Sequence, residues 1–153
     1  MNEQALDLEK FLPYQLSVLS NTISGAIAET YSSHYGLSIP EWRVLAVLGR
    51  FPGSSAGEVG EKTAMDKVAV SRAVSRLLAA GRIEREFADA DRRRSILRMS
   101  ASGKEIYQHI SPVLLQYEAE LLAGLSATDR GHLGRILARL VSRARQVGPP
   151  ELG

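Results

Sequence analysis

Apolar residues recur every three or four positions over most of this chain, but they alternate with polar residues in one short segment between Ile83 and Met99. The first spacing is typical of amphipathic helices, and alternation is typical of strands. The alternation is interrupted at residues 88–94, with the sequence ADADRRR, and then resumes. The pattern predicts a mainly helical fold with one small β hairpin, and it places three consecutive arginines at the hairpin tip.

Six helices are predicted around this hairpin from the spacing of apolar residues and from residues that typically begin or end helices. They are expected at residues 12–36, 39–51, 55–63, 67–80, 103–125 and 126–146. Ser38 and Asp66 are the expected caps of the second and fourth helices, and Ser100 or Ser102 is the expected cap of the fifth. Pro112 lies inside the fifth helix and should bend it.

The fourth predicted helix has two chemically different faces when successive residues are placed about 100° apart. One face is apolar and should be buried; it contains Val70, Ala73, Val74 and Leu77. The opposite face and its flanks carry small, hydroxyl and basic side chains and no acidic one; they contain Val68, Ser71, Arg72, Ser75 and Arg76. A short helix followed by a helix with such an outer face is the layout of a helix-turn-helix, whose second helix enters the major groove of DNA.

Charge is distributed unevenly along the chain. The formal net charge is +2, but the segment from Lys62 to Lys104 has eleven basic and five acidic residues, a balance of +6, whereas the rest has a balance of −4. A locally basic surface is what a polyanion requires for docking. Exposed arginines are often only a solvated surface. The arginine triplet and the basic helix nevertheless lie in one segment, which favours DNA binding with the hairpin as a wing directed at phosphates or a minor groove.

Composition disfavours several other classes of function. The chain has no cysteine, which excludes disulfides, thiolate catalysis, thiolate metal sites and regulation by thiol oxidation. No apolar stretch approaches the roughly 18 residues of a membrane span, and the first ten residues lack a secretory pattern, so a soluble cytoplasmic protein is expected. Asp89 and Asp91 lie among arginines that favour ionised carboxylates, which argues against acid–base catalysis. No enzyme is expected.

The histidines and aromatic residues form no recognisable motif. The three histidines fall on three different predicted helices, without the spacing of metal ligands; they are His34, His109 and His132. No metal site is therefore expected. Tyr31 and Tyr35, with the neighbouring histidine of the first helix, are candidates for a small-molecule pocket, although packing or dimer contacts are the commoner role of aromatic residues at helical spacing. Trp42 is expected in the core.

The hairpin resembles the wing of the MarR family of winged helix-turn-helix transcription regulators. The wing motif of that family is D-x-R-x-x-x-L-x-L-T-x-x-G, which this chain matches at the same spacing with Asp91, Arg93, Leu97, Met99, Ser100 and Gly103. Methionine replaces the second leucine and serine replaces threonine, two changes that keep the apolar volume and the hydroxyl. The stretch VSRAVSRLLAAGRIERE resembles the family's recognition helix and first wing strand, and IPEWRVLAVL resembles its second helix.

The resemblance implies a single domain over residues 1–153, with a winged-helix DNA-binding region at 38–100 and dimerisation helices at 12–36 and 103–146. The partner would be double-stranded DNA with an inverted repeat, bound by a homodimer whose recognition helices are about 34 to 36 Å apart. The function would be repression by competition with polymerase. A small-molecule effector, often an anionic aromatic compound in this family, would change the affinity for DNA, and no other cofactor is implied.

The candidate DNA contacts divide by chemistry. Arg72 and Arg76 suit guanine edges or phosphates, and Ser71 and Ser75 suit shorter contacts from the same face as Val68. Lys67, at the amino end of the helix, suits a phosphate. In the wing, Asp91 is expected to pair with a neighbouring arginine and hold the shape of the hairpin, which leaves Arg92, Arg93 or Arg94 available for the groove.

Two alternatives remain at this point. A winged helix can serve as a protein-interaction module whose basic face meets an acidic partner. A metal-responsive regulator would keep the DNA function and use histidines and carboxylates as its switch.

Overall fold

The computed structural model describes residues 5–88 and 91–153, and at residues 88 and 91–94 it describes the backbone only. This part of the chain contains six α-helices and one three-stranded antiparallel sheet. The helices are α1 Leu12–Tyr35, α2 Ile39–Arg50, α3 Ala56–Thr63, α4 Lys67–Ala79, α5 Ala101–Leu122 and α6 Ala127–Val147, and the strands are β1 Ser54–Ser55, β2 Ile83–Ala88 and β3 Asp91–Met99. The predicted class, mainly α with a small β wing, is confirmed.

Side-chain caps begin α2, α3, α4 and α6, and a fifth cap of the same kind begins α5. In each case a side-chain oxygen accepts a hydrogen bond from the backbone N–H three residues later; the capping residues of the first four are Ser38, Ser55, Asp66 and Ser126. Such a cap satisfies one backbone donor that the helix itself leaves without a partner, and it contributes about 1 kcal/mol. The predicted caps of α2 and α4 are thereby confirmed. Of the two candidates for α5, Ser100 is the cap, since its Oγ accepts from the Gly103 N–H at 3.1 Å.

The chain divides into two compact units, Met1–Pro112 and Val113–Gly153. The first unit has a core formed by α2, α3, α4, the sheet and the first half of α5; its fully buried side chains include Val44, Leu45, Leu48, Val59, Leu77, Ile83 and Leu97. The second unit consists of the rest of α5, α6 and the tail, and its turn is closed by Arg130 Nε, which donates to the Leu122 carbonyl at 3.0 Å. α5 continues through Pro112 as helix, and the bend expected there stays a prediction.

The sheet has the order β1-β3-β2. β2 and β3 form the predicted hairpin, with Ile83 opposite Met99 and Arg85 opposite Leu97. Ile83 and Leu97 face the core, whereas Phe87 near the tip is largely exposed. β1 has only two residues and lies against β3 on its other side. No apolar alternation can develop over two residues, and for this reason β1 was not predicted.

The long helices keep apolar side chains on their surfaces. The exposed ones in α1 include Leu12, Leu16, Val18 and Leu19, and those in α6 are Leu133, Ile136, Leu137, Leu140, Val141 and Val147. α6 has no buried residue, although its apolar positions follow the predicted helical stripe. None of the described helices combines the length and the apolar content that crossing a membrane requires.

Gly103 offers a test of the packing between the start of α5 and the segment before β2. A Cβ atom at Gly103 would lie 2.0 Å from the Arg82 carbonyl oxygen, a backbone atom that cannot move away without shifting the strand. Gly103→Ala should therefore lower the free energy of unfolding by about 1–3 kcal/mol. Gly131→Ala, in an open position of α6, should instead raise it by up to about 1 kcal/mol. Thermal or urea unfolding measures both, and equal effects of the two substitutions would contradict the close approach.

Candidate nucleic-acid interface

The two faces of α4 differ in burial. Val70, Ala73, Val74 and Leu77 are buried against the rest of the first unit, as the spacing predicted. The outward face is solvent-exposed along its length; it contains Lys67, Val68, Ser71, Arg72, Ser75 and Arg76. All six residues proposed from the sequence as DNA contacts of this helix are thus accessible from one side.

A tight turn sets the position of α4 relative to α3. Ala64, which ends α3, adopts a left-handed backbone with φ of 53°, a conformation that costs a residue with a Cβ about 1–2 kcal/mol. Only three residues then separate the end of α3 from Lys67. The Asp66 carboxylate caps α4 by accepting from the Ala69 N–H at 2.9 Å. The two helices are therefore joined as a helix-turn-helix, with α4 in the position of the groove-entering helix.

The carboxyl end of α4 is tied to two other helices. Gly81, in a left-handed conformation with φ of 69°, turns the chain out of the helix. The Ser100 hydroxyl donates to the Gly81 carbonyl at 2.6 Å, and the Ser100 N–H donates to the Arg82 carbonyl at 3.0 Å. The Arg82 guanidinium donates to the Tyr35 carbonyl at 2.7 Å. These bonds connect the end of α4 to the last residue of α1 and the cap of α5.

The cations on α4 are not neutralised by neighbouring carboxylates. Among the described residues the ion pairs are Lys10 with Asp7, and Arg98 with Glu86 across the wing. No described carboxylate oxygen lies within 4.0 Å of a side-chain nitrogen of Lys67, Arg72 or Arg76. Their charges are available to an external anion.

An open cleft of about 640 Å³ runs beside α4. It is bounded by α3, by the turn after it, by α4 and by one residue of β2. Two cations border it, Lys67 and Arg85, together with the hydroxyls of Ser71 and Ser75 and one carboxylate, that of Glu61. Arg85 was not among the sequence candidates, although strand alternation combined with the helix-turn-helix layout could have indicated it.

The wing has an irregular register at the arginine triplet. Phe87 pairs with Ser95, and the next residue of β2, Ala88, pairs with Asp91. β3 therefore has three more residues than β2 at this point, and they are residues 92–94. The loop between the two strands is thus shorter than the predicted stretch ADADRRR, since β2 extends to Ala88 and β3 already begins at Asp91. The side chains of Asp91, Arg92, Arg93 and Arg94 lie outside the described residues, as does Asp89, so their expected roles stay predictions.

A second basic cluster lies on the surface of the first unit, where the sequence had singled out no site. The Lys62 ammonium lies 4.3 Å from the centre of the Phe51 ring, and the Arg50 guanidinium lies 5.0 Å from it. Cations hold such positions over an aromatic face by electrostatic attraction to the ring. Two more positive charges are thereby placed at the ends of α2 and α3, the latter being the first helix of the helix-turn-helix.

The aromatic residues of α1, α2 and α5 pack together. Tyr31 is fully buried and stacks on Trp42 with ring centres 5.7 Å apart, and Trp42 stacks on Tyr107 at 6.0 Å. Burial raises the pKa of the Tyr31 hydroxyl, and the nearby Arg43 cation partly offsets that rise. Trp42 is half-buried, so it packs between Tyr31 and Tyr107 at the edge of the core and not inside it as expected. A second aromatic contact joins α1 to α5, since the Tyr35 hydroxyl hydrogen-bonds His109 Nδ1.

The described residues contain no group of three or more histidines, aspartates or glutamates positioned to hold a metal ion. His34 and His109 are neighbours in the first unit, with ring centres 6.3 Å apart. His132 belongs to α6 in the second unit.

Comparison with known proteins points to a single family. Residues 35–94, which cover the end of α1, the helix-turn-helix and the first part of the wing, match the family model described as the MarR family. An HTH-type transcriptional repressor from Mycobacterium tuberculosis is 26% identical over 133 residues, which cover 86% of this chain and 92% of the repressor.

Solved structures show the same arrangement over most of the chain. A MarR/EmrR family transcriptional regulator from Acinetobacter is similar with a TM-score of 0.84 and 24% identity, covering 92% of this chain and 99% of that one. The PcaV transcriptional regulator from Streptomyces coelicolor, solved in complex with its natural ligand, is similar with a TM-score of 0.77 and 24% identity, covering 92% and 98%.

Proposed function

Because the chain belongs to the MarR family of transcriptional regulators, we propose that it is a homodimeric repressor that binds an inverted repeat in double-stranded DNA in the cytoplasm. The family consists of DNA-binding proteins rather than enzymes, and this chain is not an enzyme. Repression would follow from occupation of a promoter site that polymerase also requires.

The observation that carries the proposal is the outward face of α4. It combines two arginines, a lysine and two serine hydroxyls with no carboxylate among the described residues close enough to neutralise them. Phosphate contacts would position the helix, and contacts with base edges would provide specificity. We assign base-edge contact to Arg72 and Arg76, phosphate contact to Lys67, and shorter contacts to Ser71 and Ser75. Arg92, Arg93 and Arg94 would reach the neighbouring backbone or minor groove from the wing, whose shape Asp91 would support.

The proposal is tested by titrating the protein against DNA from upstream of its own gene and against a scrambled duplex, at several salt concentrations. A sequence-specific regulator should prefer its site about a thousandfold or more, with affinity falling as salt rises. Equal affinity for both duplexes would favour the protein-interaction alternative. Loss of site binding on chelation, restored by one divalent metal, would favour the metal-responsive alternative.

Arg72→Ala should reduce the preference for the natural site over the scrambled duplex by about 1–3 kcal/mol, because a bidentate arginine–guanine contact discriminates by that amount. Arg135→Ala removes the same charge from the exposed surface of α6 and should leave the preference unchanged. Fluorescence anisotropy with labelled duplexes measures both variants. If Arg72→Ala weakens binding to both duplexes equally, the arginine contacts a phosphate instead of a base.

A second copy of the chain is the proposed partner of the long helices. Five apolar side chains of the α6 stripe, Leu133 to Val141, are between 36% and 52% exposed in the single chain. Apolar surface of this extent is typical of an interface. A two-fold pairing through α1, α5 and α6 would cover it, and would present two copies of α4 to successive major grooves about 34 to 36 Å apart. The inverted repeat in the proposed target follows from that symmetry.

Ile136→Glu should shift the protein from dimer to monomer and abolish high-affinity site binding, because a buried carboxylate without a partner opposes association. Ser142→Glu adds the same charge on the opposite side of α6, about 180° from the centre of the stripe, and should remain dimeric. Sedimentation velocity measures the association state of both variants. A dimeric Ile136→Glu protein with normal DNA affinity would contradict the proposed interface.

A small planar aromatic anion is the proposed effector. The PcaV transcriptional regulator, which has a similar fold, was solved in complex with its natural ligand. In this chain the rings of Trp42, Tyr107 and Tyr35 are half-buried, and the centre of the Tyr35 ring lies 5.9 Å from that of the His109 ring. Partly exposed aromatic rings near a histidine are a suitable environment for an aromatic acid.

Binding of such an acid should quench or shift the fluorescence of Trp42, which is the only tryptophan in the sequence, and should raise the melting temperature. The probes are benzoate, hydroxybenzoates and nicotinate, with cyclohexanecarboxylate as the non-aromatic control. An active acid should also lower the affinity for the natural DNA site. If none of the acids changes either signal at millimolar concentration, an effector of this class is contradicted.

A further inference from the structure

Val68 differs from the other valines of α4. It is 58% exposed, whereas Val70 and Val74 are 5% and 4% exposed. It is the second residue of the helix, directly after Lys67, and Ser71, Arg72 and Ser75 follow it at positions i+3, i+4 and i+7. These spacings place all four residues along one side of the helix. An apolar side chain thus lies among the polar and basic groups that are proposed to meet DNA.

Folding does not explain a valine at this position. A β-branched residue is a weaker helix former than alanine, and an exposed side chain adds little to the core. Position 68 also lies in the first turn of α4, and the residues at the amino end of a recognition helix are those that contact base edges in the major groove. Contact with DNA therefore explains an exposed valine at this position better than folding does.

The major-groove edges of the bases present one apolar group, the C5-methyl of thymine. Apart from ring C–H groups such as C5–H of cytosine, the other groups there are hydrogen-bond donors and acceptors. Covering these with an aliphatic side chain would remove their water without replacing its hydrogen bonds. An exposed valine in this position would favour thymine by contact and disfavour the other bases by desolvation.

We propose that Val68 is a specificity-determining residue that packs its γ-methyl groups against the C5-methyl of one thymine in each half-site. The inference rests on the proposed function, since it requires α4 to enter the major groove. It assigns to this helix a methyl readout in addition to the arginine contacts. It also implies that 5-methylcytosine, which carries a methyl at the same ring position, is accepted better than cytosine at that base pair.

The experiment begins with selection of preferred duplexes from a random DNA library by the purified protein. Each thymine of the selected site is then replaced singly by deoxyuridine, which removes only the methyl group. At one such position in each half-site, the replacement should lower the affinity of the protein for the duplex about fourfold, which is the contribution of one buried methyl group. Replacement in both half-sites should lower it about fifteenfold. At the same position 5-methylcytosine should bind more tightly than cytosine.

Val68→Ala should bind the thymine and deoxyuridine duplexes with nearly equal affinity. Its thermal stability should be unchanged or higher, because alanine is the better helix former, so weaker binding would not reflect unfolding. Leu152→Ala is the control, since that leucine lies in the tail after α6 and is fully exposed, and this variant should keep the full penalty for deoxyuridine.

Two results would overturn the inference while leaving the regulator intact: site-specific binding with no penalty at any deoxyuridine, or a Val68→Ala variant that keeps the wild-type penalty. A protein that enriches no sequence from the library would contradict the proposed function itself, and the methyl readout with it. The two failures are therefore distinguishable.

Discussion

The proposed interface depends on the fixed orientation of α4 about its own axis, which decides which side chains face the core and which face solvent. Four buried residues on one side of the helix contact the core of the first unit, and each is too well packed to be exchanged with a residue of the opposite side. Successive side chains of an α-helix point about 100° apart. Burial of Val70, Val74 and Leu77 therefore also determines that Arg72 and Arg76 face solvent. The basic face is positioned by the apolar face behind it.

The burial of one face does not by itself determine the direction in which the α4 axis points. Contacts at the two ends of the helix determine that direction. At the amino end the turn through Ala64 brings α3 and α4 close together, and the Asp66 cap satisfies a backbone donor of the first turn. At the carboxyl end Ser100 contacts the carbonyl of Gly81 through its hydroxyl and that of Arg82 through its N–H. Gly103 packs against the same Arg82 carbonyl, so α4, β2 and α5 meet at a point with no room for another carbon atom.

Much of this arrangement could be predicted from the sequence because local chemistry determines it. The period change at Gly81, the caps Ser38 and Asp66, and the two faces of α4 all follow from residues within a few positions of each other. β1 could not be predicted, since a two-residue strand exists only through its pairing with β3. The proximity of Arg85 to α4, the contact between Arg82 and Tyr35, and the positions of Lys62 and Arg50 over Phe51 depend on tertiary packing. Helical spacing contains no information about which distant residues become neighbours.

The contact between Arg82 and Tyr35 also connects the proposed effector region to the proposed DNA-binding surface. Tyr35 is the last residue of α1; its carbonyl accepts from Arg82, three residues after the end of α4, and its hydroxyl contacts His109 of α5. The Tyr31–Trp42–Tyr107 stack also joins α1 and α5, through Trp42 of α2. A ligand that shifts the last turn of α1 relative to α5 must either carry Arg82 with it or break a charge-assisted hydrogen bond. In the first case the carboxyl end of α4 moves, and since the amino end is held by the turn after α3, the helix tilts. Tilting changes the separation of two recognition helices in a symmetric dimer, and half-site spacing on DNA tolerates little such change.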